Sequence, residues 1–217
     1  MTGGIITDRR TIVVFGAGPG LGYHIAREFG LHGFRTVLVS RNGDRLRDLS
    51  VKLSSEGIES HYVTADCSDP SSIKTAVDWI SSEWGIDVVS YNAVYRGKGD
   101  IMDIAPEERT ERYRTDVAGA LCAVQLSVPH MNDGAVLLTG GGYGLDPSPK
   151  AISISLHKAA LIALAKALDK ELSPKGMFTG IININGRIGI DEGYSPEKIA
   201  SLFYRMYEDR RDREMTF

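Results

Sequence analysis

The chain has 217 residues, of which 42% are apolar and 24% charged, enough to bury a core and stay soluble. Its formal net charge of -3 gives no electrostatic case for nucleic acid or an anionic membrane as partner. No apolar run approaches the length of a membrane span, and Met1 to Arg10 lack the apolar core of a signal peptide. Cys67 and Cys122 lie far apart, and no His/Cys cluster has zinc-ligand spacing. They are expected to be reduced thiols of a cytoplasmic protein, with no metal.

The first element is a strand, Ile12 to Phe15, running into the glycine-rich turn Gly16-Ala17-Gly18-Pro19-Gly20-Leu21-Gly22. A helix over Leu21 to Leu31 follows, with Leu21, Ile25, Ala26 and Phe29 on its apolar face. A strand, a glycine turn and a helix N-terminus in that order suit a pyrophosphate. The glycines admit the ligand to backbone N–H groups, and the helix end presents unpaired donors. Arg35 to Ser40 is the second strand, followed by a helix with Leu46, Leu49 and Leu53 inward. Ile58 to Thr64 is the third strand, ending in Ala65-Asp66-Cys67. Asp69-Pro70 starts a helix that turns Ile73, Val77 and Ile80 inward. Ile86 to Tyr91 is the fourth strand, ending in Asn92-Ala93, and Pro106 to Val128 is one long helix. Ala135 to Thr139 is the fifth strand, closed by Gly140-Gly141-Gly142. Ala151 to Leu172 is a long helix, apolar nearly all round. Phe178 to Asn185 forms the sixth strand, Ile199 to Tyr207 the last helix, and Glu214 to Phe217 a stub of a seventh strand.

Short apolar strands alternate with helices, without repeats or linkers. The fold class is therefore α/β: a doubly wound, Rossmann-type parallel sheet with helices on both faces, one domain over 1–217. Ligands of such sheets bind at the carboxyl ends of the strands. Those ends are Ser40-Arg41, Asp66-Cys67, Asn92-Ala93, Thr139 to Gly142 and Asn185 to Ile188.

In those residues the chain resembles the short-chain dehydrogenase/reductase family over almost its whole length. Gly16, Gly20 and Gly22 match the family's glycine motif, Asp66 its adenine-binding acid, and Asn92-Ala93 the start of its Asn-Ala-Gly turn, with Val94 in place of the glycine. The resemblance implies a nicotinamide cofactor held by Gly16, Gly18, Pro19, Gly20, Leu21, Gly22, Ser40, Arg41, Asp66, Cys67, Asn92, Ala93, Lys158, Gly186 and Ile188. It also implies a homodimer through the 106–128 and 151–172 helices. Ser40-Arg41-Asn42 stand where an NAD enzyme carries a carboxylate, so NADP(H) is favoured over NAD(H), with Arg41 pairing a 2′-phosphate.

The catalytic positions depart from the family. Lys158 is present, but the tyrosine four residues before it is Ile154, the serine after the fifth strand is Gly141, and the supporting asparagine is Asp116. Asn185-Gly186 replaces a Pro-Gly pair, and Gly186 to Ser195 replaces a longer lid. Ile154 transfers no proton and Gly141 offers no hydroxyl. The catalytic candidates are Lys158, Tyr143, Asp116 and His157, with Tyr95 as a further lining residue. His157 is also readable as a structural histidine, Tyr143 as a packing aromatic, and Asp116 as a counter-charge for Lys158. The remaining histidines, His24, His32, His61 and His130, need only surface or helix-end roles. The expected activity is NADP(H)-dependent reduction or oxidation of a small carbonyl, imine or activated alkene with an altered proton relay. The alternatives are a non-redox cyclase, dehydratase or isomerase, and a nucleotide-binding protein without chemistry.

Overall fold

A computed structural model describes residues 9–95 and 104–217. Seven strands lie in one sheet in the order β3-β2-β1-β4-β5-β6-β7. They are β1 (Thr11–Phe15), β2 (Arg35–Ser40), β3 (Ser60–Thr64), β4 (Val88–Tyr91), β5 (Ala135–Thr139), β6 (Phe178–Asn183) and β7 (Glu214–Thr216). Every pairing is parallel. The helices are α1 (Leu21–Leu31), α2 (Gly43–Ser55), α3 (Pro70–Glu83), α4 (Pro106–Tyr113), α5 (Gly119–Ser127), α6 (Ile152–Leu172) and α7 (Pro196–Asp209).

The alternation of side chains along β1 explains why both faces are covered. Ile12 and Val14 join a core with Phe29 of α1, Leu46 of α2 and Phe203 of α7. Val13 and Phe15 join the opposite core with Val77 of α3, Val124 of α5 and Leu161 of α6. Both sides of the strand must therefore be apolar, as its sequence is. The stub at the C-terminus is a true seventh strand: Ile181, Ile182 and Asn183 pair with Glu214, Met215 and Thr216.

Several expected boundaries shift for local reasons. Ile58 belongs to the turn that closes α2, where its N–H reaches the Leu53 carbonyl after Gly57 takes a φ of 80°. β3 therefore starts at Ser60. The sixth strand stops at Asn183, two residues early, and Asn185 instead donates to the Phe217 carbonyl.

The expected single helix over 106–128 is interrupted. A π turn, Arg114–Ala118, separates α4 from α5. At this point the helix lies almost on the sheet. A Cβ on Gly119 would stand 2.2 Å from the Cys67 carbonyl oxygen and 2.5 Å from the Tyr91 hydroxyl oxygen. The Tyr91 hydroxyl donates to the Thr115 carbonyl, which a wider π turn leaves accessible.

Within Pro149–Lys175 an 18-residue window reaches a mean hydropathy of 1.5, which by length and composition alone would pass for a membrane span, although charged residues interrupt it. Here Leu161, Ile162, Ala165, Leu168 and Leu172 face the sheet core, so one side of the helix serves the fold.

Candidate active site

The chain winds outward from β1 to β2 and β3, then crosses back to β4. The loops after neighbouring β1 and β4 therefore part, leaving a crevice at the carboxyl ends of the strands. A cavity of about 1060 Å³ occupies it, lined by the loops that follow β1 to β6.

At its centre is the glycine turn. Gly16 and Ala17 both donate to the Val39 carbonyl, at 2.8 and 3.0 Å. The Asn92 side chain donates to the Gly16 carbonyl at 3.2 Å, tying the end of β4 to the turn. Helix α1 begins at Leu21 without a side-chain cap, and Leu21 itself lines the cavity. Cβ atoms on Gly18 and Gly20 would meet nothing within 4 Å. The turn therefore offers an open cradle with backbone donors and a positive helix end, as a pyrophosphate requires.

One arm of the cavity runs to Ser40, Arg41, Asn42, Arg45, Ala65, Asp66 and Cys67. Asp66 Oδ1 accepts from the Ser68 N–H at 2.9 Å and its hydroxyl at 2.8 Å, while Oδ2 stands 4.0 Å from the Arg41 guanidinium. Asn42 caps α2 by accepting from the Arg45 N–H at 2.9 Å. Two arginines and a capped helix N-terminus thus share one end of the cavity. Sequence reading singled out Arg41 and missed Arg45, whose signal was a second arginine one turn further on. Burial pushes the Cys67 thiol up to about 12, so this lining cysteine is an unreactive thiol. Both cysteines are free.

The other arm holds Thr139 to Tyr143, Ile154, Lys158, Ile184 to Gly189 and Asp191. Lys158 Nζ donates to the Thr139 carbonyl at 2.7 Å. Burial draws its ammonium down to about 8, with the Asp116 carboxylate pulling upward. The Lys158 stem runs beside Gly141, where a Cβ would lie 3.2 Å from Cγ. Tyr143 stands half exposed in the cavity wall, and Arg187 is clasped by Asp191 through contacts of 2.7 and 2.9 Å.

Fourteen of the fifteen expected cofactor residues line this cavity. The exception is Gly22. Its missing Cβ would meet Ala17 Cα and the Gly16 carbonyl oxygen at 3.0 Å, so it packs α1 onto the turn and does not face the ligand space. Lys158 and Tyr143 line the cavity, whereas Asp116, His157 and Tyr95 are not in its wall. Asp116 pairs with His157 at 2.8 Å, and not with Lys158.

Comparison with known proteins decides the family. The family described as short chain dehydrogenase matches residues 10–187. The chain belongs to the short-chain dehydrogenase family. Tropinone reductase-like 3 of Erythroxylum coca is 28% identical over 210 residues, covering 95% of this chain and 78% of that protein. Oxidoreductase UcpA of Salmonella typhimurium is 29% identical over 173 residues, covering 77% of this chain and 65% of its own length. Among solved structures, a dehydrogenase/reductase from Sinorhizobium meliloti superposes with a TM-score of 0.89 at 21% identity, covering 98% of this chain and 95% of the other. A short chain dehydrogenase from Burkholderia cenocepacia, solved in complex with NADP, gives 0.89 at 20% identity over 98% and 97%. Both structural likenesses concern the family's fold.

Proposed function

We propose that this member of the short-chain dehydrogenase family is an NADP(H)-dependent oxidoreductase working without the family's tyrosine and serine. Its substrates would be small carbonyls, imines or activated alkenes. The observation that supports this reading is a single cavity that joins the glycine turn and Arg41 to Lys158, Ile154 and Gly141. When bound, the nicotinamide group supplies or accepts the hydride. The glycine turn and α1 would hold its pyrophosphate, Asp66 its adenine, Arg41 and Arg45 its 2′-phosphate, and Lys158 its nicotinamide ribose.

At the reacting end, Ile154 contributes shape and excludes water, and Gly141 contributes backbone alone. A ketone oxygen that becomes an alkoxide needs a positioned acid. An iminium carbon already carries its positive charge, and a conjugated alkene would need its proton at carbon and not at oxygen. Those substrates depend least on the missing phenol. The Tyr143 hydroxyl and the Lys158 ammonium are the donors available to the others.

Cofactor choice is tested by titrating NADPH and NADH against the chain. Tight NADPH binding with weak NADH binding is expected. Arg41→Ala with Arg45→Ala should weaken NADPH about 10–100-fold, the value of one or two charge-assisted hydrogen bonds, and leave NADH nearly unchanged. Equal losses for both nucleotides would remove the 2′-phosphate assignment. Conversion of a substrate panel with no change in nicotinamide absorbance would replace the redox reading by a non-redox one.

The homodimer expected through α4–α5 and α6 has an apolar surface to use. Leu156 on α6 is 62% exposed, and Leu121 and Tyr113 are exposed on α5 and α4. Single scattered apolar residues need no partner, but several on these helices are what a helix interface offers. Leu156→Glu should turn a dimer into a monomer on sedimentation while leaving the thermal midpoint of the monomer fold in place. A wild-type chain that sediments as a monomer contradicts this assembly.

A further inference from the structure

We propose that Arg187 is a specificity-determining residue at the reacting end of the cavity, where it receives the carboxylate of an anionic carbonyl, imine or alkene substrate. Arg187 lines the cavity together with Tyr143, Ile154 and Lys158. The segment Gly140 to Gly144 joins its loop to α6. A Cβ on Gly142 would stand 1.8 Å from the Asn185 amide oxygen, and one on Gly144 would stand 2.7 Å from the Lys158 carbonyl carbon. Tyr143, between these two contacts, interacts electrostatically with the Arg187 guanidinium. The loop after β6 and the Lys158 turn of α6 therefore border the same space.

The loop is folded so as to fix that guanidinium. Gly189 and Gly193 take φ of 73° and 87°, which reverse the chain. The Ile190 and Asp191 N–H groups both donate to the Arg187 carbonyl at 3.0 Å, and Gly189 donates to the Tyr194 carbonyl at 2.8 Å. The Tyr194 ring covers Gly186 and stands edge-on to Phe217 beyond β7, which anchors the loop to the sheet. Within this fold Asp191 Oδ1 accepts from Arg187 Nε at 2.9 Å and meets Nη2 at 2.7 Å, while Oδ2 accepts the Arg187 N–H at 2.7 Å. Both oxygens of Asp191 are thus occupied by one residue. The Arg187 Nη1 group has no partner among the described residues, and the side chain is 73% exposed.

One edge of the guanidinium is held and the other is open, the arrangement that offers a planar, two-point contact to a carboxylate. The clasp also removes side-chain freedom before a ligand arrives, which lowers the cost of binding. Asp66, the other carboxylate of the cavity wall, lies in the arm with Arg41 and Arg45. At the reacting end the charges open to a ligand are therefore positive, and Ile154, Ile184 and Ile188 supply apolar wall. A short chain or ring with a carboxylate at one end and a reducible double bond at the other fits this combination. The inference rests on the proposed oxidoreductase reading for the reacting bond, whereas carboxylate binding is measurable without turnover.

The test is ligand-observed NMR on the full chain saturated with NADP+, which cannot reduce a ketone. The probes are levulinate and benzoylformate, each against its methyl ester, which keeps the ketone and loses the charge. The wild type is expected to bind each acid about tenfold more tightly than its ester, the worth of a charge-assisted contact. Arg187→Ala should bring the acids down to the affinity of the esters, while the esters and NADPH hold within about twofold. Arg187→Lys, which keeps the charge and loses the fork, should fall between. Equal binding of acid and ester by the wild type, or binding of neither, overturns the proposal. So does an Arg187→Ala protein that loses acid and ester alike, which would make the clasp only a shaper of the loop. A loss of NADPH affinity as large as the loss for the acids would assign Arg187 to the cofactor and overturn it too. If Arg187→Ala does not fold, the wild-type preference for acid over ester must vanish in high salt, and a salt-independent preference overturns the proposal. A chain that binds no NADP+ would sink the cofactor reading, and the acid and ester comparison on the free chain would still decide the role of Arg187.

Discussion

Ile154→Tyr together with Gly141→Ser is expected to raise ketone reduction by about 10²–10⁴-fold, the usual worth of a positioned acid. Ile154 lies one helical turn before Lys158, and both line the cavity. A phenol placed there would face the same space, with the ammonium beside it to lower its pKa. Position 141 is tighter. A Cβ there falls 3.2 Å from Lys158 Cγ and 3.4 Å from Cδ and Cε, so the lysine stem must yield by a few tenths of an ångström. That stem is flexible, and its amine has one carbonyl to follow. Most of the gain should therefore come from Ile154→Tyr alone, with the serine adding orientation. Initial rates of NADPH oxidation with a ketone panel measure it. A double variant that folds, binds NADPH and reduces ketones no faster would show that proton supply at this position is not what limits the reaction. Reduction of a preformed iminium ion by the same variant should change far less, because that substrate brings its charge with it.

The parts of the molecule that sequence reading located are those whose signals are local. The run from Ile12 to Leu31 carries its periods, its glycines and its helix start within twenty residues, and the strand, turn and α1 appear where the pattern puts them. The strand ends mark the cavity because a parallel sheet with crossovers leaves few other places for a ligand. What escaped depends on contacts between distant segments. Nothing in the continuous helical pattern of 106–128 announces a π turn; it follows from the approach of Gly119 to Cys67 and from the Tyr91 hydroxyl reaching Thr115. The counter-charge role read for Asp116 looked to Lys158, whereas the carboxylate takes His157, 41 residues away in sequence, as its hydrogen-bonded partner. Gly22 matches a motif by spacing, yet its role is to let α1 lie on the turn. Arg45 was legible in principle, since α2 begins at Gly43 and places it in the first turn beside Arg41.

Among the described glycines, Gly16→Ala is expected to be the most damaging single methyl. The residue has a φ of 78°, in the left-handed region that L side chains avoid. A Cβ there would also stand 2.3 Å from both Cα and N of Ala93 and 2.7 Å from the Asn92 carbonyl carbon. All three are backbone atoms at the end of β4, so no side chain can rotate away. Either β4 moves, which breaks the Asn92 N–H bond to Phe15, or the turn opens, which breaks the two bonds to Val39. Backbone strain and overpacking each cost about 1–3 kcal/mol, so the sum is about 2–6 kcal/mol. Against a total stability of about 5–15 kcal/mol, that is enough to drop the urea midpoint sharply or to prevent soluble expression. Gly18→Ala separates folding from binding. A Cβ at Gly18 meets no protein atom within 4 Å, but it projects from a residue that lines the ligand space. That variant should keep a near-native urea midpoint and lose NADPH affinity. A Gly16→Ala protein with a wild-type midpoint would mean that the turn and the end of β4 are not pressed together as the structure places them. A Gly18→Ala protein with undiminished affinity would mean that the pyrophosphate does not lie on this turn.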